Sequence, residues 1–101
     1  MDKILLDYDE NSVITAFDQT TDTKQVFEGV EGARMIFEGL FYTMSDQSDL
    51  ATTNVDVGED SKVIFFVWRC PASNILDATD TFLLNDETNK IYRQTVAYKI
   101  G

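Results

Sequence analysis

Few groups in this chain could carry chemistry. There is no histidine among the 101 residues and only one cysteine, which excludes a Ser-His-Asp triad, a Cys-His pair and histidine-ligated metal sites. Cys70 abuts Pro71 at a strand end without a nearby base and reads as a small packed residue rather than a nucleophile. The acid pairs Asp18/Asp22 and Asp46/Asp49 lack calcium-loop spacing and read as solvated turns, so neither a metal nor a cofactor is expected. What remains is Asp80, which interrupts the apolar run ILDATDTFLL. A carboxyl held among aliphatic and aromatic groups has its charged form desolvated, which raises its pKa and suits it to acid or base work near neutrality. The plainer alternative is a carboxylate satisfied by neighbouring hydroxyls, such as those of Thr79 or Thr95, or by backbone amides.

Three strand-like segments must position that acid. VIFFVWRC, ILDATDTFLL and KIYRQTVAYK are rich in β-branched and aromatic residues and are separated by Pro71-Ala72-Ser73-Asn74 and Asn85-Asp86-Glu87-Thr88-Asn89, which predicts an antiparallel meander with Asp80 in its central strand. Strand alternation puts Asp80 on one face with Ala78, Phe82 and Leu84. A four-residue loop over Pro71 to Asn74 pairs Cys70 with Ile75 and sets Asp80 opposite Phe65. Phe65, Val67 and Arg69 would then share the acid's face, with Arg69 at the rim able to orient an anionic or carbonyl substrate, or simply holding its head in water. Phe66 and Trp68 would face away, Trp68 as a core or dimer-interface residue. On the last strand, a simple hairpin count after Asn85 selects Arg93 and Thr95 for the same face.

The preceding half supplies the remaining elements. Ile4, Leu5 and Tyr8 predict a short helix over Asp2 to Asp9 capped by Asp2. Val13 to Phe17 and Thr23 to Phe27 predict a hairpin around the polar turn Asp18 to Asp22. From Val30 the period changes, and Val30, Ala33, Phe37, Leu40, Phe41 and Met44 form one apolar helical stripe behind Gly29, with Phe37, Leu40 and Phe41 as the wall of any pocket. Leu50 to Val57 alternates as a strand with Ala51, Thr53, Val55 and Val57 on one side, and Gly58-Glu59-Asp60 turns into the meander. One apolar helix on a curved, mostly antiparallel sheet makes a single α+β domain over residues 1–101.

FEGVEGARMIFEGLF, VIFFVWRCP, ATDTFLLND and KIYRQTVAY, in this order, resemble the SnoaL-like branch of the nuclear transport factor two-like superfamily, which also holds ketosteroid isomerase and limonene epoxide hydrolase. The resemblance rests on element order and on the spacing of Gly29, Trp68, Asp80, Phe82 and Ile91. It implies a cystatin-like cone, or α+β barrel, of curved sheet wrapped around helices, with an apolar pocket at one end and a convex face used for dimerisation. It also implies that Gln94 and Tyr98 point into the pocket, in place of Arg93 and Thr95, because a bulge shifts parity easily. Asp80 falls on the position of the isomerase's protonated aspartic acid, which donates to an oxyanion. The isomerase base would fall near Ala16 or Phe17, which cannot accept a proton, and its tyrosine belongs to a first helix that this chain lacks. Steroid isomerisation is therefore not expected.

The formal charge is −10, and the eight basic residues are scattered. Phosphate binding needs a basic stripe, so nucleic acid and anionic membrane are disfavoured as partners. No apolar run approaches the roughly 20 residues of a membrane span. The N-terminus lacks the pattern of a leader, and with the lone cysteine this suggests a cytoplasmic protein. Burying only part of its surface, a domain this small is expected to form a homodimer, through the convex sheet around Trp68. Two functional readings follow. One is an isomerase-, cyclase- or hydrolase-type enzyme using Asp80 as acid or base on a hydrophobic carbonyl or epoxide substrate. The other is a non-catalytic module that binds a small hydrophobic ligand or another protein.

Overall fold

Helix, hairpin, helix and strand signals succeed one another along the chain, and the folded elements follow them closely. A computed structural model describes residues 2–58 and 62–101; the side chain of Asp2 and the expected turn residues Glu59 and Asp60 lie outside it. The elements are α1 (Asp2–Leu5), β1 (Tyr8–Asp18), β2 (Thr23–Glu28), α2 (Gly29–Thr43), β3 (Ala51–Val57), β4 (Val63–Cys70), β5 (Ile75–Leu84) and β6 (Ile91–Ile100). They form one open six-stranded sheet in the order β2-β1-β6-β5-β4-β3. Only the β1–β6 pairing is parallel. The architecture is α+β as expected, with an open sheet rather than a closed barrel. No helix among the described residues is long and apolar enough to cross a membrane.

The first helix is shorter than its apolar spacing suggests, and Tyr8 belongs to β1 instead. The reason is local. Asp9, Glu10, Asn11 and Ser12 bulge out between the Tyr8↔Ile91 and Val13↔Arg93 pairs. Ser12 Oγ accepts the Asp9 N–H and donates to the carbonyl of Ile91, while Asp9 Oδ1 accepts the Asn11 N–H. These side-chain bonds replace the helical ones the backbone gives up.

Further irregularities set which residues face inward. In β5, Leu76 and Asp77 lie between Ile75 and Ala78, while only Arg69 lies between their partners Cys70 and Trp68. The expected Cys70↔Ile75 pair is present, but the extra residue of this β-bulge advances the register by one, so Asp80 pairs with Phe66 and not with Phe65. A residue is likewise gained in β6 between Ile91 and Arg93, opposite Leu84 and Leu83. In β3 a register shift between Thr52 and Asn54 breaks the expected single face, so Ala51, opposite Arg69, does not share a side with Val55 and Val57, opposite Phe66 and Ile64. Across the sheet, Gln25, Ala16, Val96, Asp80, Phe66 and Val55 consequently form one row of the inner face.

α2 crosses this inner face over β1 and β2. Its N-terminal half joins a core of Leu5, Tyr8, Ile14 and Ala33. Its C-terminal end, at Met44, joins a second core with Cys70, Ile75 and Ala78. Gly29 opens the helix at φ 72°, a conformation that suits glycine. Gly32 has a different role: a Cβ there would sit 2.8 Å from the backbone carbonyl carbon of Phe27, so the helix reaches β2 only because that position has no side chain. Gly32→Ala should therefore destabilise the protein by about 1–3 kcal/mol, despite alanine's better helix propensity. Urea denaturation of the two proteins checks this, and an unchanged or raised midpoint would show that the helix can shift.

Candidate functional site

Between the two cores, α2 and the inner face of the sheet enclose a cavity of about 590 Å³, within the range of small-molecule sites, roughly 300–1,000 Å³. Its floor is the central sheet, with Ala16 of β1, Val96 and Tyr98 of β6, Asp80 and Phe82 of β5 and Trp68 of β4; Phe27 of β2 and Ile36, Phe37 and Leu40 of α2 close the sides. Gln25, Met35, Gly39 and Thr43 are lining residues that are also exposed, and they mark the mouth, with half-buried Asp18 beside them. Phe37 is braced from behind by the ring of Tyr8, edge-on at 5.8 Å.

Asp80 is the acid inside. Trp68 Nε1 donates to its Oδ2 at 2.8 Å and Gln94 Nε2 donates to its Oδ1 at 3.0 Å. The Tyr8 hydroxyl in turn donates to Gln94 Oε1. The result is a hydrogen-bonded chain Tyr8–Gln94–Asp80–Trp68 in which Tyr8 and Gln94 are buried. Burial pushes the Asp80 carboxyl above the ordinary carboxylate range, and the hydrogen bonds from Gln94 and Trp68 offset part of that rise. Each carboxylate oxygen retains a second lone pair for a guest. Tyr8 is itself raised, by burial first and then by the negative charges of Asp80 and Asp7. The Tyr98 hydroxyl is also pushed up, by burial and then by Asp18 beside it.

The structure brings Asp80, Phe37, Leu40, Phe82, Gln94 and Tyr98 to the cavity. Gln94 and Tyr98 reach it because of the bulge near Tyr92, which the simple hairpin count omits. Phe65 and Val67 are corrected to the outer face, opposite Thr81 and Thr79, because the extra residue of β5 reverses the parity of the hairpin; Arg69 is exposed at the strand end and does not line the cavity. Phe41 also leaves the expected wall: it stacks on Phe37 at 6.3 Å and is 38% exposed, and Ile36 takes the inner position. Trp68, expected on the opposite face as a core or dimer-interface residue, instead lines the cavity and donates to Asp80. Tyr8 reads in the sequence as a helical apolar residue, and no local signal marks it as a partner of a residue 86 positions away. Cys70 is fully buried and donates to the Asp46 carbonyl at 3.3 Å. Asp49, expected to be a solvated turn residue, accepts the Ala72 N–H at 3.0 Å and so ties the loop after α2 to the β4–β5 connection.

No protein-family model matches the chain, and no curated protein matches it in sequence. Solved structures do match in fold. SalBIII, an epoxide hydrolase/cyclase-like enzyme with a role in pyran ring formation in salinomycin, aligns with a TM-score of 0.67 at 21% identity over 96% of this chain and 76% of its own. A protein assigned as a SnoaL-like polyketide cyclase from Shewanella denitrificans gives 0.60 at 14% identity, again over 96% and 76%. An NTF2-like protein of unknown function from Cytophaga hutchinsonii gives 0.60 at 12% identity over 97% and 84%. The chain thus has the SnoaL-like, NTF2-like cone fold.

Because the folded state raises the Asp80 pKa, the stability it contributes is complete below the unfolded value of about 3.9 and is lost as pH rises through the folded one. Thermal melts from pH 4 to pH 8 should show the natural protein losing stability relative to Asp80→Asn, with the gap widest at the alkaline end. A gap independent of pH would mean that the carboxyl is not desolvated. Trp68 is the only tryptophan, so its fluorescence reports the protonation of its hydrogen-bond partner directly. Tyr8→Phe frees the Gln94 amide to turn its oxygen toward a protonated Asp80, and should move the fluorescence titration to higher pH than in the natural protein.

Proposed function

We propose that the protein is an isomerase-, cyclase- or hydrolase-type enzyme in which Asp80 exchanges a proton with a neutral apolar substrate bearing a carbonyl or epoxide oxygen. The observation that carries this reading is a desolvated carboxyl group fixed at the floor of an apolar cavity by one N–H donor on each oxygen. In its protonated form Asp80 gives its proton to the substrate oxygen as that oxygen takes on negative charge, and a proton lost from substrate or attacking hydroxyl restores the acid. Gln94 and Trp68 hold the carboxyl in place through the cycle. The cyclase and epoxide-hydrolase assignments of proteins with the same fold agree with this chemistry without fixing its substrate.

A second reading, a pocket that holds a hydrophobic ligand without turning it over, is favoured by one observation: both Asp80 oxygens already have protein partners. A panel of apolar ketones and epoxides, scored for thermal stabilisation and for product, separates the two. Turnover of one class, reduced roughly a hundred-fold or more in Asp80→Asn, is expected. As an acid, Asp80 should also give a rate that declines as pH rises through its raised pKa. Stabilisation without product from every compound would establish the binding reading instead.

The outer face further supports a homodimer. Its centre carries Phe65 and Val67 with Thr79, Thr81 and Thr95, bordered by Asp56 opposite Phe65, an apolar and hydroxyl patch with a charged edge that suits a partner sheet. Trp68 is not part of it. Sedimentation at micromolar concentration should give the mass of two chains, and Phe65→Lys should give the mass of one.

A further inference from the structure

The titratable groups that line the cavity are Asp18, Asp80 and Tyr98, all of them acids, and no lysine or arginine among the described residues lines it. Gln25, Thr43 and Gln94 are the other polar lining residues; the rest of the wall is apolar, and five of the lining residues, Tyr98 among them, are aromatic. Low-dielectric walls concentrate the field of charges set among them. With Asp80 protonated and the Tyr98 phenol neutral, the Asp18 carboxylate is the lining group that supplies negative charge, so within a chain of net charge −10 the mouth attracts positive charge and repels anions, and aromatic faces add to the attraction for a cation.

The two carboxylates are not equivalent. Asp80 is at the floor with both oxygens engaged. Asp18 is at the mouth, where Oδ1 accepts the Thr20 N–H at 2.8 Å and the other oxygen has no protein donor among the described contacts. The register fixes their separation. Asp80 pairs with Val96 and Asp18 with Tyr98, so the two acids are two strands apart and offset by two residues, or about 12 Å along the sheet.

Building on the reading of Asp80 as the group that meets the substrate's oxygen, we infer that the natural ligand is bifunctional: an apolar body with a carbonyl or epoxide oxygen at one end and a protonated amine at the other, the amine held by Asp18 at the mouth. The oxygen end enters first and reaches Asp80; the ammonium stays at the half-solvated rim, where pairing with a carboxylate does not require full desolvation of either charge. Tyr98 pairs with Asp18 across the strands and lines the cavity beside it.

Three probes with one body test this. Para-(dimethylaminomethyl)acetophenone, para-isobutylacetophenone and para-(carboxymethyl)acetophenone share the aryl ketone and carry a cation, a neutral isostere and an anion at the far end. Their dissociation constants are measured by quenching of Trp68 in the natural protein, Asp18→Asn and Asp80→Asn. The Asp18→Asn substitution keeps an oxygen acceptor for the Thr20 N–H, so the local turn is retained. The amine is expected to bind roughly ten-fold more tightly than the isobutyl ketone, a difference of about 1.4 kcal/mol, and the anion to bind worst. That preference should shrink with added salt and collapse to within about two-fold in Asp18→Asn.

If the isobutyl ketone binds as well as the amine, the ammonium site is overturned while the ketone site of the proposed function stands. If the preference for the amine persists in Asp18→Asn, Asp18 is not its partner and the assignment of the rim is overturned. If none of the three binds to the natural protein, the reading of the cavity as a ketone site falls, and the inference with it.

Discussion

A carboxyl group cannot sit on the inner face of a sheet without hydrogen-bond donors, and in this protein the supporting groups come from three other strands. Tyr8 belongs to β1, Gln94 to β6, Asp80 to β5 and Trp68 to β4, so one hydrogen-bonded chain crosses four neighbouring strands. A slip of one residue in any of the three pairings would move a member to the opposite face and leave a buried polar group without a partner, at a cost of about 1–3 kcal/mol. Among the described residues no buried side-chain nitrogen or oxygen is left in that condition. The polar chain thus constrains register where a purely apolar floor would tolerate slippage, and it fixes the acid at the same time.

The cavity persists because the helix that covers it is held at its ends. Near its start, the missing side chain of Gly32 lets α2 lie against the backbone of β2. Beyond its C-terminus, Met44 enters the second core, and the backbone of Asp46 exchanges hydrogen bonds with the buried hydroxyl of Ser73. Between these anchors Ile36 and Phe37, packed against the first core, and Leu40, packed against the second, also line the cavity. Apolar area that could have contributed to stability is left available to a ligand. That space lies against the Asp80 carboxyl, the arrangement on which the proposed proton exchange with a guest rests.

Fold likeness bears on function only through this cavity. Proteins of 12–21% identity share this fold over nearly the whole of the chain, and one fold supports many chemistries. In this chain the groups facing inward are one carboxyl in the floor, one at the mouth and aromatic walls, with no lysine or arginine among the described lining residues. Those groups argue for a neutral or cationic guest with an oxygen to be protonated.

The sequence by itself determined the strands, the long helix, the α+β class and the inward-facing place of Asp80, because each depends on short-range patterns: alternation in β5, a helical period behind Gly29, and an acid among apolar neighbours. For β6 the simple hairpin count selected Arg93 and Thr95, and it was the family resemblance that pointed to Gln94 and Tyr98, the residues that line the cavity or share its face. The facing residues of β4 were decided only by the tertiary structure. Counting from the Pro71–Asn74 loop finds the Cys70↔Ile75 pair, but one extra residue at Leu76 inverts everything beyond it and exchanges Phe65, Val67 and Arg69 for Phe66 and Trp68. Tyr8 was hidden for a similar reason. Its apolar spacing suits a helix, and its place in β1 depends on bonds from Ser12 to Ile91 and from its own hydroxyl to Gln94, contacts that exist only after the first and last strands have met.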